Sequence, residues 1–370
     1  MHPDIAIVSP HGRGGGASHG GITPVVLALT RAFSEAGRRV DLISFAADDP
    51  RLPDLGPRVT PYNLGPGRRR QHRARLALYL AEHGPGALLA AGHRANLLAA
   101  TLRHPARPGG APRVVLSVHN ALTPGLRDLN PVRRALKRSE LRRDYMRADH
   151  IVCVSDGVRR DLEGLVPAAA RMTSVIHNPI AAPSAEPASP LHPWLAPGEP
   201  PVLLGAGRLS RQKDFATLLA AFARLGDTPA RRLLIIGEGA ERNNLLYLAR
   251  QLGVAARVDL PGFVPNPRAH MAAAALLVLS SAWEGFGNVL VEAMSVGTPV
   301  VATDCESGPR EILQDGALGP LVPVGDAAAL ADAMARTLAA PADPDRLRRR
   351  AADFAPQAVA GRYLTRLFPT

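Results

Sequence analysis

Apolar positions along the chain recur in two alternating patterns. Short unbroken runs such as "DIAIVS", "RVDLISF", "RVVLSVHN" and "HIVCVS" have the length of buried strands, and each gives way to a stretch with helical spacing. "TPVVLALTRAFSEAG" places Val25, Val26, Leu29, Ala32 and Phe33 on one helical face, with Thr23 as the predicted cap, Pro24 in the first turn and Gly37 as the stop. Apolar strand, turn and helix in repetition predict a parallel sheet covered on both faces. A second series opens at "PVLLGAGRL". It continues through a helix from about Asp214, "RRLLIIGEG", "RVDLPGF", "ALLVLSS", a helix capped by Asn288 that stops at Gly297, and "TPVVATD". Between the two series lies "AAPSAEPASPLHPWLAPGEPP", rich in Pro, Ala and Ser and without periodicity, as in a linker. The pattern therefore predicts an α/β chain with two doubly wound sheets facing each other across a cleft. The expected domains are 1–180 and 201–355, joined by a linker at 181–200 and followed by a last helix at 356–370.

Composition narrows this picture. At 370 residues, with 46% hydrophobic and 21% charged residues, the chain has the make-up of a globular protein of two domains. The start, "MHPDIAIVSPHG", carries an acid at position 4 and reads as a first strand, not as a secretory segment. No window approaches 18 uncharged apolar residues. Cys153 and Cys305, the only cysteines, each sit in an apolar run, which suits buried thiols in a reducing cytoplasm. The net charge of +12 is uneven: residues 1–180 hold 26 Lys and Arg against 14 Asp and Glu, and residues 181–370 hold 18 of each. Two clusters carry the surplus, "RRRQHRAR" at 68–75 and "RRALKRSELRRDYMR" at 133–147. They read either as solvated helix faces or as a surface for an anionic partner such as phospholipid head groups or a diphosphate-linked acceptor. Aromatic residues make up 4% of the chain, too few for base-stacking platforms, and this argues against a nucleic-acid partner.

In doubly wound sheets ligands sit beyond the carboxyl ends of the strands, so the loops there carry the candidate chemistry. "AWEGFGNVLVEAM" follows a buried strand: Gly285 and Gly287 let backbone approach a ligand, and amides near residues 287–290 face an anion such as a diphosphate. Glu292, one turn inside the helix, is placed either to accept the hydroxyls of a ribose or merely to complement the positive helix end. Glu284 stays in the turn, free to hold a hydroxyl of a second sugar. "GAGRLSRQKDF" brings Arg208 and Lys213 to the same edge as a diphosphate clamp, which would stabilise a departing nucleoside diphosphate without a metal. No metal site is expected: the only Asp-x-Asp is Asp343-Pro344-Asp345, and no Cys/His cluster has zinc spacing. In the first half, "HGRGGGASHGG" follows strand one. Its Gly12-x-Gly14-x-x-Ala17 subset fits a dinucleotide fingerprint formally, but the glycines stand apart from the helix start, as suits a loop closing over a ligand. His119-Asn120 ends "RVVLSVHN" and faces the same predicted cleft.

These motifs together resemble the retaining family 4 glycosyltransferases of GT-B fold, built from two Rossmann-like domains, and the resemblance covers nearly the whole chain. "EGFGNVLVEAM" resembles the family's E-x7-E motif, "GRLSRQKDF" its arginine-lysine clamp, "GEGAERNNL" and "LPGF" its nucleotide-domain turns, "VIHNPI" the segment closing the first domain, and Gly20-Gly21 its glycine pair. "TDCESGPREIL" is similar to a subset acting on bacterial surface or lipid-linked glycans. The resemblance implies that Arg208 and Lys213 hold the donor diphosphate and Glu292 the ribose. Glu284 would contact the donor sugar, the amides of Phe286, Gly287, Asn288 and Val289 the sugar and phosphates, and Gly262, Phe263 and Val264 the base. His119 would sit beside the transferring sugar, and the last helix would pack back on the first domain. The implied reaction is retaining and metal-independent, with no cofactor: a hexose or N-acetylhexosamine passes from a nucleotide sugar, UDP-linked by expectation, to a glycan or lipid-linked acceptor at the cytoplasmic membrane face. Glu284 and Glu292 would then be binding groups, unlike the carboxylate pair of a retaining glycosidase. Two other readings stand beside this one. A nicotinamide-dependent oxidoreductase would use the Gly12 to Ala17 loop, and a non-enzymatic protein would bind a nucleotide sugar without turnover.

Overall fold

A computed structural model describes residues 2–9, 21–45, 55–102, 111–127, 129–182 and 191–369. Gly20 and the Gly12 to Ala17 loop lie outside these residues. The chain divides into two units, one formed by Met1–Pro179 with Ala355–Thr370 and the other by Ile180–Phe354.

In the first unit the elements follow as β1 (Ile5–Val8), α1 (Ile22–Glu35), β2 (Val40–Ser44), β3 (Val59–Asn63), α2 (Arg69–His83), β4 (Ala87–Ala91), α3 (His93–Ala100), β5 (Arg113–Val118), α4 (Pro131–Tyr145), β6 (His150–Cys153), α5 (Asp156–Leu165) and β7 (Thr173–Val175). All described strands pair in parallel in the order β3-β2-β1-β4-β5-β6-β7, with Ile5 opposite both Val40 and Ala87. The central strands are apolar without alternation because helices cover both faces. β3 lies at the edge, where Pro61 withholds no needed donor from the ladder. Helix α1 buries Val25, Val26, Leu29, Ala32 and Phe33, as its spacing predicts, and Gly37 at φ 81° follows its end. Its start differs from the expectation: the helix begins at Ile22 with Gly21 at the cap position. Thr23 is buried inside the first turn and caps nothing. A two-residue displacement of the start turns the hydroxyl from the helix end into the packed face.

The second unit contains β8 (Val202–Ala206), α6 (Phe215–Arg224), β9 (Arg232–Ile236), α7 (Arg242–Gln251), β10 (Val258–Gly262), α8 (Pro267–Ala273), β11 (Leu276–Leu279), α9 (Asn288–Ser295), β12 (Val300–Thr303), α10 (Pro309–Ile312), β13 (Leu321–Val322), α11 (Ala327–Ala339) and α12 (Pro344–Ala352). Its parallel order is β10-β9-β8-β11-β12-β13. Both sheets thus run outward in one direction from their first strand and then reverse, which is the doubly wound order with a switch point between β1 and β4 and another between β8 and β11. The core of this unit is Leu203, Leu218, Phe222, Leu233, Ile235, Leu276, Val278 and their neighbours from both layers of helices.

Two junction segments belong to these units. Residues 191–200, linker-like by composition, pack on the second unit: His192 Nε2 lies 2.9 Å from Asp259, the Arg232 guanidinium stacks on Trp194 at 5.0 Å, and Leu195 is buried. The last helix, α13 (Pro356–Leu367), joins the first unit, where Val359, Ala360, Tyr363 and Leu367 enter the core with Leu29, Phe33 and Val115. Burying such side chains is worth about 1.5–3 kcal/mol for each large one, as an upper figure. Gln357 Nε2 donates to Glu35 at 3.1 Å and Arg113 Nε to the Arg366 carbonyl at 2.8 Å, fixing both ends.

Candidate active site

In the second unit the loops after β8, β9, β10 and β11 are stitched together by main-chain and side-chain hydrogen bonds. The Leu209 amide donates to the Glu238 carbonyl at 2.9 Å, and the Gly237 amide to the Gly262 carbonyl at 2.8 Å. Across the switch point, the Ala282 amide donates to the Gln212 carbonyl at 2.8 Å, Gln212 Nε2 to the Trp283 carbonyl at 3.0 Å, and Ser280 Oγ to the Lys213 carbonyl at 2.9 Å. Asp214, left-handed at φ 43°, follows Lys213 and caps α6 by accepting from the Thr217 amide. The sharp reversal this conformation makes is tolerated by a short polar side chain.

The consequence is a defined position for Lys213. Its Nζ lies 2.5 Å from Glu284 Oε1, and Ser281 Oγ donates to the same oxygen at 2.6 Å. The side chains of Lys213 and Glu284 are 16% and 8% exposed, so the pair is largely withdrawn from water. The bonds recorded for Glu284 among the described residues all go to Oε1, which leaves Oε2 to accept a ligand hydroxyl. Lys213 keeps further N–H donors beyond the one Glu284 takes. Arg208 is exposed on the same loop, and no ion pair to it occurs among the described residues. Glu292 retains some exposed surface, yet its carboxyl is pushed up from the ordinary carboxylate value by desolvation, against the attraction of Arg268 and Lys213. Thus Lys213 acts on both glutamates that the sequence singled out.

The turn itself departs from expectation in two details. The cap of α9 is Gly287, left-handed at φ 98°, and Asn288 is the first helical residue. The Leu290 amide, expected to face a ligand, donates instead to the Gly287 carbonyl at 2.9 Å, because the first turn of the helix closes tightly on its cap residue. Phe286 anchors the turn from below: it is buried and packs edge-on against Phe354 with ring centroids 5.4 Å apart. Gly308 presses on the Phe286 carbonyl from the neighbouring loop, where an added Cβ would lie 1.8 Å from its oxygen. On the far side of the edge, Gly262 ends β10 and Phe263 follows it, half exposed. Val264 continues that loop. Cys305 is buried, its thiol pushed up to about 12, and is chemically quiet.

In the first unit His119 follows β5 and is buried. Its Nε2 lies 3.0 Å from Ser117 Oγ, which lies 3.0 Å from the Tyr363 hydroxyl on α13. Burial lowers the imidazole to about 4 against the opposing hydrogen bond of Asn178, so the ring is neutral near pH 7. Ser117 was legible in principle, since residues two apart on a strand share a face. Tyr363 was not, because nothing local to "GRYLTR" signals a partner that distant in sequence. Ser281, Gln212 and Arg268 were likewise missed. Among the described residues no group of His, Cys, Asp and Glu is arranged to hold a metal ion.

Twin doubly wound sheets of this order are the architecture of the GT-B class of glycosyltransferases. The chain belongs to that class and to its family 4: the profile described as Glycosyltransferase Family 4 matches residues 19–182, and that described as Glycosyl transferases group 1 matches residues 192–354. It resembles bacterial surface-glycan transferases. The lipopolysaccharide core biosynthesis glycosyltransferase LpsE of Rhizobium meliloti is 38% identical over 167 residues, 45% of this chain and 47% of the relative. The lipopolysaccharide 1,6-galactosyltransferase of Salmonella typhimurium is 32% identical over 186 residues, 48% of this chain and 49% of the relative. The alignments span about half the length of these relatives. Among solved structures, Anabaena HepE in complex with UDP and glucose superposes with a TM-score of 0.80 at 21% identity over 100% of both chains. Sucrose-phosphate synthase from Thermosynechococcus elongatus gives 0.79 at 24% identity over 98% of this chain and 97% of its own. At these identities the structures establish the fold.

Proposed function

We propose that the protein is a retaining, metal-independent glycosyltransferase that moves a hexose or N-acetylhexosamine from a UDP-sugar to a glycan or lipid-linked acceptor in lipopolysaccharide or other surface-polysaccharide synthesis. The observation that carries this reading is the Lys213–Glu284 pair at the switch point, held by Ser281 and flanked by Glu292. In the proposed roles Arg208 and Lys213 stabilise the departing diphosphate, where positive charge in a water-poor site acts most strongly on the charge that develops. Glu284 Oε2 accepts a hydroxyl of the donor sugar, Glu292 accepts from the ribose, and Phe263 offers a face to the base. The amides of the Phe286 to Val289 turn, apart from those already engaged within the chain, complete the donor contacts. Glu284 is tied to an ammonium and a hydroxyl, which suits a binding group better than a nucleophile. The acceptor proton passes to the leaving phosphate as the new bond forms on the same face of the sugar.

The complex of HepE with UDP and glucose supports the choice of donor, and the name of a Campylobacter jejuni relative, 40% identical over 122 residues, includes a diphospho-undecaprenol acceptor. The proposed location is the cytoplasmic membrane face. Among the described residues no helix is long and apolar enough to cross a membrane. The test is a thermal-shift and hydrolysis panel of UDP-, GDP-, ADP- and TDP-sugars, with NADH as control and with and without EDTA. Stabilisation by UDP-sugars with slow, EDTA-insensitive release of UDP is expected. Stabilisation by NADH alone would favour an oxidoreductase, and binding without release, even with glycan acceptors added, would favour a non-enzymatic nucleotide-sugar-binding protein.

A further inference from the structure

The first unit contains a cavity of about 430 Å³ between the turn at Pro124–Leu126, α4 and α5, and four arginines line it: Arg127, Arg134, Arg138 and Arg160. We propose that this cavity binds the phosphate or diphosphate group of an acceptor. The inference rests on the transferase reading only for the word acceptor; the anion site stands on its own residues.

The charge balance carries the argument. Arg160 is matched, since its Nη1 donates to Asp156 at 2.7 Å. The one carboxylate in the lining, Asp161, is turned to backbone, accepting from the Leu122 amide at 2.5 Å and the Thr123 amide at 3.2 Å. Among the described residues no carboxylate pairs with Arg127, Arg134 or Arg138. Arg134 Nη2 instead donates to the Arg127 and Leu129 carbonyls at 3.0 and 3.1 Å, and Arg138 reaches only the Gly164 carbonyl at 3.4 Å. Carbonyls fix the direction of a guanidinium without cancelling its charge. Three unmatched guanidiniums around a concave surface fit a multiply charged oxyanion, which their planar forks can grip with paired hydrogen bonds. The volume lies within the range of small-molecule sites, and Leu126 and Leu165 add apolar lining suited to the body of a sugar or the first carbons of a lipid. The placement agrees with an acceptor: the connection that begins at His119 after β5 includes Arg127, so cavity and histidine share one strand-end connection. Asp161 holds that loop to α5.

The test is titration of the whole protein with inorganic pyrophosphate by calorimetry, with saturating UDP present. Arg134→Gln/Arg138→Gln should weaken binding about tenfold or more, and Arg134→Lys/Arg138→Lys should restore part of it, keeping charge but losing the fork. If the double Gln variant melts early, Arg127→Gln with normal melting serves in its place. Vesicles containing phosphatidic acid, compared with phosphatidylcholine alone, separate the sources. Loss of vesicle binding in the same variants assigns a lipid-borne phosphate, and loss of pyrophosphate binding alone assigns a soluble one. Unchanged pyrophosphate affinity in the Gln variants overturns the proposal. Release of UDP from a UDP-sugar should stay at the wild-type rate in these variants. Its absence in every form of the protein would sink the transferase reading and leave the anion site to its own titration.

Discussion

Replacing Lys213 by Met would keep the aliphatic stem that packs beneath Gly207 while removing the ammonium from Glu284. The carboxylate, 8% exposed, would keep Ser281 as donor but lose its only counter-charge at 2.5 Å. Breaking one side of a buried pair costs about 3–5 kcal/mol, and the lower end applies because the lysine is still within reach of water. For a unit of this size about 3 kcal/mol lowers the melting midpoint by roughly 6–12 °C. Both tryptophans of the chain, Trp194 and Trp283, lie in the second unit, so tryptophan fluorescence follows the melting of that unit alone. Glu284→Gln removes the charge while keeping hydrogen bonds to Ser281, and should cost about 1–2 kcal/mol. The combined variant should therefore melt near Glu284→Gln and well above Lys213→Met. If Lys213→Met leaves the fluorescence midpoint unchanged, or if the two costs simply add, the pair is not the electrostatic unit described here.

Three further outcomes follow from other contacts. Glu292 has a folded-state pKa raised above its unfolded value of 4.5, so its contribution to stability is complete below that pH and is lost as pH rises through the folded value. Glu292→Gln should thus match wild type near pH 4.5, melt above it at pH 7, and bind UDP-sugars more weakly. A variant that melts no higher at pH 7 refutes the desolvated carboxylate. Gly308→Ala places a Cβ against the Phe286 carbonyl at a backbone angle that favours glycine, and should cost about 2–4 kcal/mol in the same fluorescence melt while slowing UDP-sugar hydrolysis; normal melting and hydrolysis would free the two loops of each other. Tyr363→Phe removes the hydroxyl beside Ser117 and should cost about 1 kcal/mol in the first unit, with a change in the nitrogen-15 shifts of the His119 ring; unchanged shifts would mean that Ser117 does not link the two side chains.

The strands and the strand-end loops were readable because their signals are local. An apolar run bounded by glycine, such as "ALLVLSS" before "AWEGFG", states its own burial and its own end. Parallel order could be inferred from alternation, and the two sheets bear that out. The helix starts were less secure: Thr23 and Asn288 have the chemistry of caps, but Gly21 and Gly287 occupy the positions, Gly287 with a left-handed φ of 98° that favours glycine. Pairings across the sheet were beyond local reading. Nothing in "RQKDF" states that Lys213 reaches Glu284 in place of standing beside Arg208 alone, since that contact depends on β8 and β11 being neighbours at the switch point. Charge counting found the basic half but not the cavity, whose lining residues come from the turn at Pro124–Leu126, α4 and α5 and meet only in the fold.

The two units use their cations differently, and ionic strength should expose the difference. In the second unit several arginines meet carboxylates: Arg232 meets Glu199 at 2.7 Å, Arg310 is paired with Asp304 and Asp315, and Arg257 with Asp227. Of the two cations of the candidate donor site, Lys213 is paired and shielded and Arg208 is exposed. On α4 and its neighbours, Arg127, Arg134 and Arg138 stand exposed, the last two donating only to carbonyls among the described residues. Exposed charges are screened over a Debye length of about 8 Å at physiological salt and about 3 Å at 1 M, whereas buried pairs are screened far less. Pyrophosphate binding to the first unit should therefore fall steeply between low and high salt, while binding of a UDP-sugar, supported also by Phe263, the ribose contact and the turn amides, should fall less. Equal salt slopes for the two ligands would mean that both are held by the same exposed charges, and the separation of an anion cavity in the first unit from a donor site in the second would not stand.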